Sequence, residues 1–347
     1  TGVTGSPLAV AWNPRLPQIA IMDRNQWRII DADSGTTISN HVVNEGLGGW
    51  PAWDPTGKRL SAGVFDNNIG IWDSMTTDLT VAPIHGHLNG GTIVRFCPDG
   101  NRLVSNDWSH IIRLWDTTIG PPEPIANIAT ENTWASSGNG EVVLVPTQEG
   151  GVLWDSKTRQ QTLLPHPPDV RTCAVTADGR IGVTASHALQ DIAVKIWNLD
   201  SGKWIADLEV PGFTGAFLSP DGKWLVTNGN GTRLWRVGEW KESRVLQPFR
   251  TLPCFSPDSR LLALSDDISV IRLLEPETCR EVAVLTAPER TRLLPLTFTP
   301  DGARLISYGE ETGALHIFDL RAIRRQLAEM DLDWDFPPLL PESQDQQ

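Results

Sequence analysis

Histidine, aspartate and cysteine are the side chains through which this chain could do chemistry, so their spacing is the first thing to weigh. His166 and Asp191 could serve as a general base and the carboxylate that orients it. His85-Gly86-His87 could present two imidazoles to a metal, but no third ligand follows at a suitable spacing. GxSxG, HExxH and a glycine-rich phosphate loop are all absent from the sequence. Gly229 and Gly231, with the Asn-Gly steps around them, fit tight strand connections instead. Cys97, Cys173, Cys254 and Cys279 form no CxxC pair and read as small buried hydrophobes. The expectation is a chain without catalytic residues, metal or cofactor.

What could position such residues is set by a repeat. Apolar runs closing on Trp-Asp or a near equivalent recur along the whole chain, at Ile30-Asp31, Trp72-Asp73, Trp115-Asp116, Trp154-Asp155, Trp197-Asn198, Trp235-Arg236, Leu274-Glu275 and Phe318-Asp319. Successive marks lie 38 to 44 residues apart. A second mark precedes each by 18 to 22 residues, at Trp12, Trp53, Phe96, Trp134, Val175, Phe217, Phe255 and Phe298. Several of these lead into a Pro-Asp-Gly turn, as at Pro98-Asp99-Gly100, Pro220-Asp221-Gly222 and Pro300-Asp301-Gly302, where Pro fixes φ and Gly tolerates positive φ. A period near 40 built from short alternating strands predicts a β-propeller, whose closed ring leaves few sheet edges exposed.

On these residues the chain resembles the WD40-repeat family over roughly residues 6–320. The resemblance implies an all-β WD40-type β-propeller over residues 1–320, with eight blades expected and seven as the alternative. It also implies a buried network in each unit, running from a His before the first strand to a Ser or Thr, an Asp and the closing Trp. The fifth unit supplies His166, Thr184, Asp191 and Trp197, and the third supplies His87, Ser105 and Trp115 with Ser109 where Asp is expected. Other units hold fragments, such as Asp66 with Trp72. His166, Asp191 and His87 are thereby expected to be structural, not catalytic.

In the family, the loops entering the first strands and the turns between second and third strands form a protein-binding face. By register that face carries Trp50, Asp66, Asn67, Asp107, Trp108, Glu149, Gln190, Asn230, Asp267 and Glu311. Trp108 would make an aromatic anchor there or pack on a neighbouring blade. The favoured function is a non-catalytic protein-protein interaction scaffold. A propeller hydrolase, or the accessory propeller of an enzyme, is the alternative.

Acidic residues number 42 against 29 Lys and Arg, a net charge of −13. That balance argues against nucleic-acid phosphate and for basic or neutral protein or peptide partners. No apolar run reaches the 18 or more residues of a membrane span, and no signal-peptide pattern opens the chain, so a cytoplasmic setting is expected. The chain opens on Thr, as a piece of a longer protein would.

After the last repeat, Leu320, Ile323, Leu327 and Met330 share a helical face, and Asp319 is placed to cap it. The stretch LRAIRRQLAEMDLDWDFPPLL resembles the segment that closes WD40 arrays in certain large bacterial proteins, notably planctomycete ones that join such arrays to signalling regions. Residues 321–340 are therefore expected to form a helix and a closing segment docked on the last blade or its junction with the first. The polar residues 341–347 are expected to be a disordered tail.

Overall fold

Most of the Trp-Asp runs fold as third strands covered on both faces. In Ile111–Asp116, Ile112, Leu114 and Trp115 are fully buried. The aspartate that ends such a run turns the chain toward the outer strand. Asp73 accepts from the backbone N–H groups of Met75 and Thr76 at 2.9 Å, Asp155 from Thr158 at 2.8 Å, and Asn198 does the same for Ser201 at 2.9 Å. Four residues past the run the backbone takes a left-handed conformation, at Gly35, Thr77, Arg159, Gly202, Trp240 and Cys279.

The protein is represented by a computed structural model, which describes residues 9–334 apart from 45, 65–66, 88–92, 108–110, 119–123, 130–134, 138–139, 156–157, 167–168, 188–191, 211, 213–214, 248–250 and 267–268. Eight antiparallel sheets follow one another in sequence, six of four strands and two of three, and together they form an eight-bladed β-propeller. The first blade is Ala9–Trp12, Gln18–Met22, Gln26–Asp31 and Thr37–Val42 in order. In the second blade the outer segment forms no continuous strand beside Asn68–Asp73; it is joined there by the isolated bridges Ile69↔Ile84 and Trp72↔Leu79 and by the Thr80 N–H on the Ile71 carbonyl. In the eighth blade no outer strand lies beside Leu315–Asp319 among the described residues.

The turn after the first strand uses one hydroxyl device in several blades. Thr176, Ser219 and Ser256 accept from the backbone N–H five residues on, at 3.0, 2.9 and 2.9 Å, and donate to Asp178, Asp221 and Asp258 at 2.6, 2.7 and 2.6 Å. This motif corrects the sequence register in two units. The residue before the turn is Leu218, not Phe217, in the sixth blade, and Ser136 in the fourth, where Trp134 lies outside the described residues. A nearby aromatic draws the eye, but the hydroxyl that closes the turn fixes the register.

The core has no single centre. Seven apolar clusters among the described residues each fill a seam between consecutive blades, beginning with Trp27, Ile29, Leu60 and Trp72 between the first two. The last joins Ile271 and Leu273 of the seventh blade to Phe298 and Leu305 of the eighth, with Leu320. The seam between the eighth and first blades is made differently: Arg304 pairs with Asp33, and a cavity of about 320 Å³ lies between Trp12, Leu16 and Pro300.

The helix Leu320–Ala328 follows directly on the last strand. Asp319 caps it, accepting from the Ala322 N–H at 2.9 Å. Leu320 is fully buried and Ile323 packs on the last cluster, while Arg321 pairs with Asp301 at 3.0 Å. Arg324 bonds Asp333 at 2.9 Å and lies over the buried Trp334 ring at 5.3 Å. Residues 335–347, including most of the expected closing segment and the whole tail, lie outside the described residues.

Candidate functional site

The third blade shows what the candidate catalytic groups do. Trp115 Nε1 donates to Ser105 Oγ at 2.7 Å, Ser105 Oγ lies 2.6 Å from His87 Nε2, and His87 Nδ1 lies 2.8 Å from Asp107 Oδ2. Arg113 Nη1 donates toward the same corner, 2.8 Å from His87 Nδ1 and 3.4 Å from Asp107 Oδ2. Desolvation pushes the His87 pKa down against the opposing pull of Asp107. A buried imidazole with both nitrogens engaged is a strut, not a base open to substrate.

Two expectations change here. Ser109, expected at the acid position, lies outside the described residues, and Asp107 supplies the carboxylate. Asp107 was placed on the binding face, but its side chain is fully buried and cannot meet a partner. Its short separation from Ser105 is the difference: the acid lies two residues past the hydroxyl and folds back under the turn.

In the fifth blade Trp197 Nε1 donates to Thr184 Oγ1 at 2.9 Å and His166 Nδ1 meets the same hydroxyl at 2.7 Å, while Asp191 lies outside the described residues. The sixth blade has a shorter version that sequence reasoning missed, with Trp235 Nε1 on Thr227 Oγ1 at 2.9 Å. A Thr eight residues before the closing Trp was the available signal.

The His85-Gly86-His87 pair diverges. His85 is exposed, with Nδ1 on Asn68 Oδ1 at 2.7 Å, whereas His87 turns inward. The four cysteines are free; burial pushes the thiols of Cys97 and Cys254 up to about 12 and that of Cys173 higher still. Such thiols are poor nucleophiles and poor metal ligands at neutral pH.

All second-to-third-strand turns leave the sheets at one end of the propeller, because every blade repeats the same antiparallel order. Trp50 is 54% exposed on the inner strand Leu47–Trp53 of the second blade. Asn67 takes a left-handed turn position at φ 63°. Glu149 and Asn230 are exposed in their turns. Glu311 is exposed too, but its carboxylate accepts from Thr291 Oγ1 at 2.9 Å and from the Arg292 N–H, which also holds its pKa down. Asp66, Trp108, Gln190 and Asp267 lie outside the described residues.

One inner-ring residue escaped the sequence reading. At the position before the first-strand mark stand Ala11, Ala52, Ala135, Ala174, Phe217, Cys254 and Thr297, but the third blade places Arg95 there. Arg95 is exposed, yet desolvation lowers its pKa. A side chain in a narrow, solvent-accessible passage meets both conditions, and the inner strands border such a passage at the propeller axis.

Comparison with known proteins agrees with this geometry. The family model described as WD domain, G-beta repeat matches residues 80–116, the unit that holds the His87–Ser105–Trp115 chain. The WD repeat-containing protein WDS homolog of Arabidopsis thaliana is 23% identical over 295 residues, covering 76% of this chain and 53% of the relative. Guanine nucleotide-binding protein subunit beta-5b of Danio rerio is 38% identical over 60 residues, covering 17% of this chain and 15% of its own length. Apoptotic protease-activating factor 1 of Rattus norvegicus is 22% identical over 255 residues, covering 65% of this chain and 19% of the relative. The chain thus spans little more than half of the first relative and under a fifth of the others. In fold, the computationally designed Ika8 protein superposes with a TM-score of 0.73 at 16% identity, covering 92% of this chain and 97% of that one. With its Trp-Asp repeats, its turn chemistry, the matched repeat and these relatives, the chain is an eight-bladed β-propeller that carries a WD40 repeat at residues 80–116 and is similar to WD40-repeat proteins.

Proposed function

We propose that this propeller is a non-catalytic scaffold for protein-protein interaction. The observation that carries the reading is Trp50, an indole 54% exposed on an inner strand, at the end of the propeller where Asn67, Glu149 and Asn230 also sit. Half-exposed tryptophans rimmed by polar groups are typical interface anchors. The groups that could have argued for catalysis are engaged instead: His87 in its buried chain, His166 on Thr184 and the cysteines as neutral thiols.

The scaffold reading extends to a binding module of a larger bacterial signalling or assembly protein, in a cytoplasmic setting. Support comes from the resemblance of residues 320–340 to closing segments of such arrays and from the partial coverage of longer relatives. No described helix is long and apolar enough to cross a membrane. The net charge of −13 favours basic partners over nucleic acid.

The test is affinity capture with the full chain as bait, run in parallel with Trp50→Ala and with Trp204→Ala, whose indole is 56% exposed on an outer strand. Loss of the same bound proteins with Trp50→Ala alone is the expected result. Equal capture by all three baits would overturn the assignment of the binding face.

A further inference from the structure

A second recessed site lies on the flank of the ring, between the first two blades. A cavity of about 480 Å³ is walled by Gly70 and Trp72 of the second blade and by His41 and Val42 of the first, with Asp78 and His85 at its rim. Its existence follows from two local departures from the repeat. The outer segment of the second blade forms no continuous strand: it meets the third strand at the isolated bridges Ile69↔Ile84 and Trp72↔Leu79 and through bonds from Thr80 to Ile71 and from Asp73 to Asp78, which leaves a recess at its edge. Gly70, moreover, occupies a position that other blades fill with a cation.

Two residues before the closing mark, the first, third, fifth, sixth and seventh blades carry Arg28, Arg113, Lys195, Arg233 and Arg272. Where the partners are defined, these cations meet carboxylates of their own blade. Lys195 Nζ pairs with Asp207 at 2.9 Å, Arg113 with Asp107 at 3.4 Å, and Arg272 with Asp266 and Glu281. In the second blade the side chain is missing, and the indole of Trp72 has folded over the gap. A Cβ built on Gly70 would lie 2.2 Å from that ring.

The lining charge matches the missing group. Among the described lining residues Asp78 is the only carboxylate, and none is Lys or Arg. His41 packs on Trp27 and Trp72 with ring centroids 5.3 and 5.9 Å away, and burial lowers its pKa, against the pull of Asp78, so it adds no positive charge at neutral pH. An alkyl stem could lie along Trp72 and Val42, with its cationic head near Asp78, as snorkelling side chains do.

We propose that this cavity takes the Lys or Arg side chain of a partner polypeptide, in the place of the cation that Gly70 cannot supply. The inference rests on the reading of the chain as an interaction module and adds a second contact, away from the Trp50 face. The net charge of −13 would steer a basic segment toward it.

The test is an NMR titration of the full chain, following the side-chain signals of Trp72, His41 and His85. The probes are the capped tripeptides Ala-Lys-Ala and Ala-Arg-Ala, the same tripeptide with norleucine, and the small cations butylammonium and methylguanidinium. The basic peptides are expected to shift the three signals, with the norleucine peptide about ten-fold weaker or worse. Asp78→Asn, an exposed substitution, is expected to weaken the basic peptides about five-fold or more while the melting temperature stays unchanged. Equal binding of norleucine, indifference to Asp78→Asn, or silence of the three signals at about 10 mM peptide would overturn the proposal. Small cations binding as tightly as the peptides would overturn the assignment to a polypeptide. Trp50→Ala should leave these shifts intact, so failure of this site and failure of the Trp50 face are read separately.

Discussion

Trp115 gives its indole N–H to Ser105 Oγ at 2.7 Å, and through that hydroxyl the outer half of the third blade is tied to His87 and Asp107. Each link has one donor and one acceptor, so removing the hydroxyl strands a partner on both sides. Ser105→Ala should cost about 1–3 kcal/mol, the range for leaving buried polar groups unsatisfied. Thr227→Val in the sixth blade strands only Trp235 Nε1 and should cost less. Urea midpoints for both variants check the order; equal losses would show that the longer chain adds nothing.

The same network predicts a pH dependence. His87 faces Asp107, Arg113 and Ser105, and desolvation holds its folded pKa below the ordinary imidazole value of 6.5. The unfolded chain therefore takes up the proton first. Stability from this group is complete above pH 6.5 and falls as pH drops through that value toward the folded pKa. His41, also lowered by burial, acts in the same direction. Asp73 and Asp178 have folded pKa values below the ordinary 3.8, held down by the Thr76 N–H and the Thr176 hydroxyl, so their contribution is lost only at more acid pH. Unfolding midpoints measured between about pH 7.5 and 5 should fall for wild type and fall less for His87→Asn. Parallel curves would exclude His87 as the source.

What could be read from sequence was whatever the backbone repeats. The Trp-Asp period was legible because the acid or amide at that position caps a turn in unit after unit, as Asp73 and Asn198 do. Trp50 was legible because the register alone puts it at the mouth of an inner strand. Asp107 was not, since a residue two positions past Ser105 reads as a turn residue until the fold tucks it under His87. The cavity beside Gly70 was hidden for a related reason. A glycine in an apolar run says nothing about the indole that swings over it or the irregular outer segment beside it.

Arg159 is exposed and holds φ at 56°, in the turn position where the first and fifth blades use Gly35 and Gly202. Holding a non-glycine residue there costs roughly 1 kcal/mol, partly offset because glycine has more entropy to lose on folding. Arg159→Gly should therefore be neutral to stabilising by up to about 1 kcal/mol. A calorimetric melting temperature at or above that of wild type is the expected reading, and a clear drop would show that the arginine side chain holds the turn.

The weakest seam is expected where the ring closes. Seven seams among the described blades are filled by apolar clusters, but the eighth and first blades meet through Arg304–Asp33 and a cavity. Arg304 is 16% exposed and Asp33 52%, so salt and water both screen the pair, and it adds little stability of its own. The helix Leu320–Ala328 reinforces the last blade from outside: Leu320 is fully buried, Arg321 pairs with Asp301, and Trp334 is covered by Arg324. Burial of Leu320 alone should contribute about 1.5–3 kcal/mol. Ending the chain at Asp319 should then lower the melting temperature by a few degrees, since the unfolding entropy of a 347-residue chain gives about 1.4 °C per kcal/mol. It should also expose the apolar surface that Leu320 and Ile323 cover in the last cluster, and an exposed apolar patch favours self-association. Calorimetry and light scattering on the truncated chain check both effects; a monomer with an unchanged melting temperature would show that the helix is only a connector.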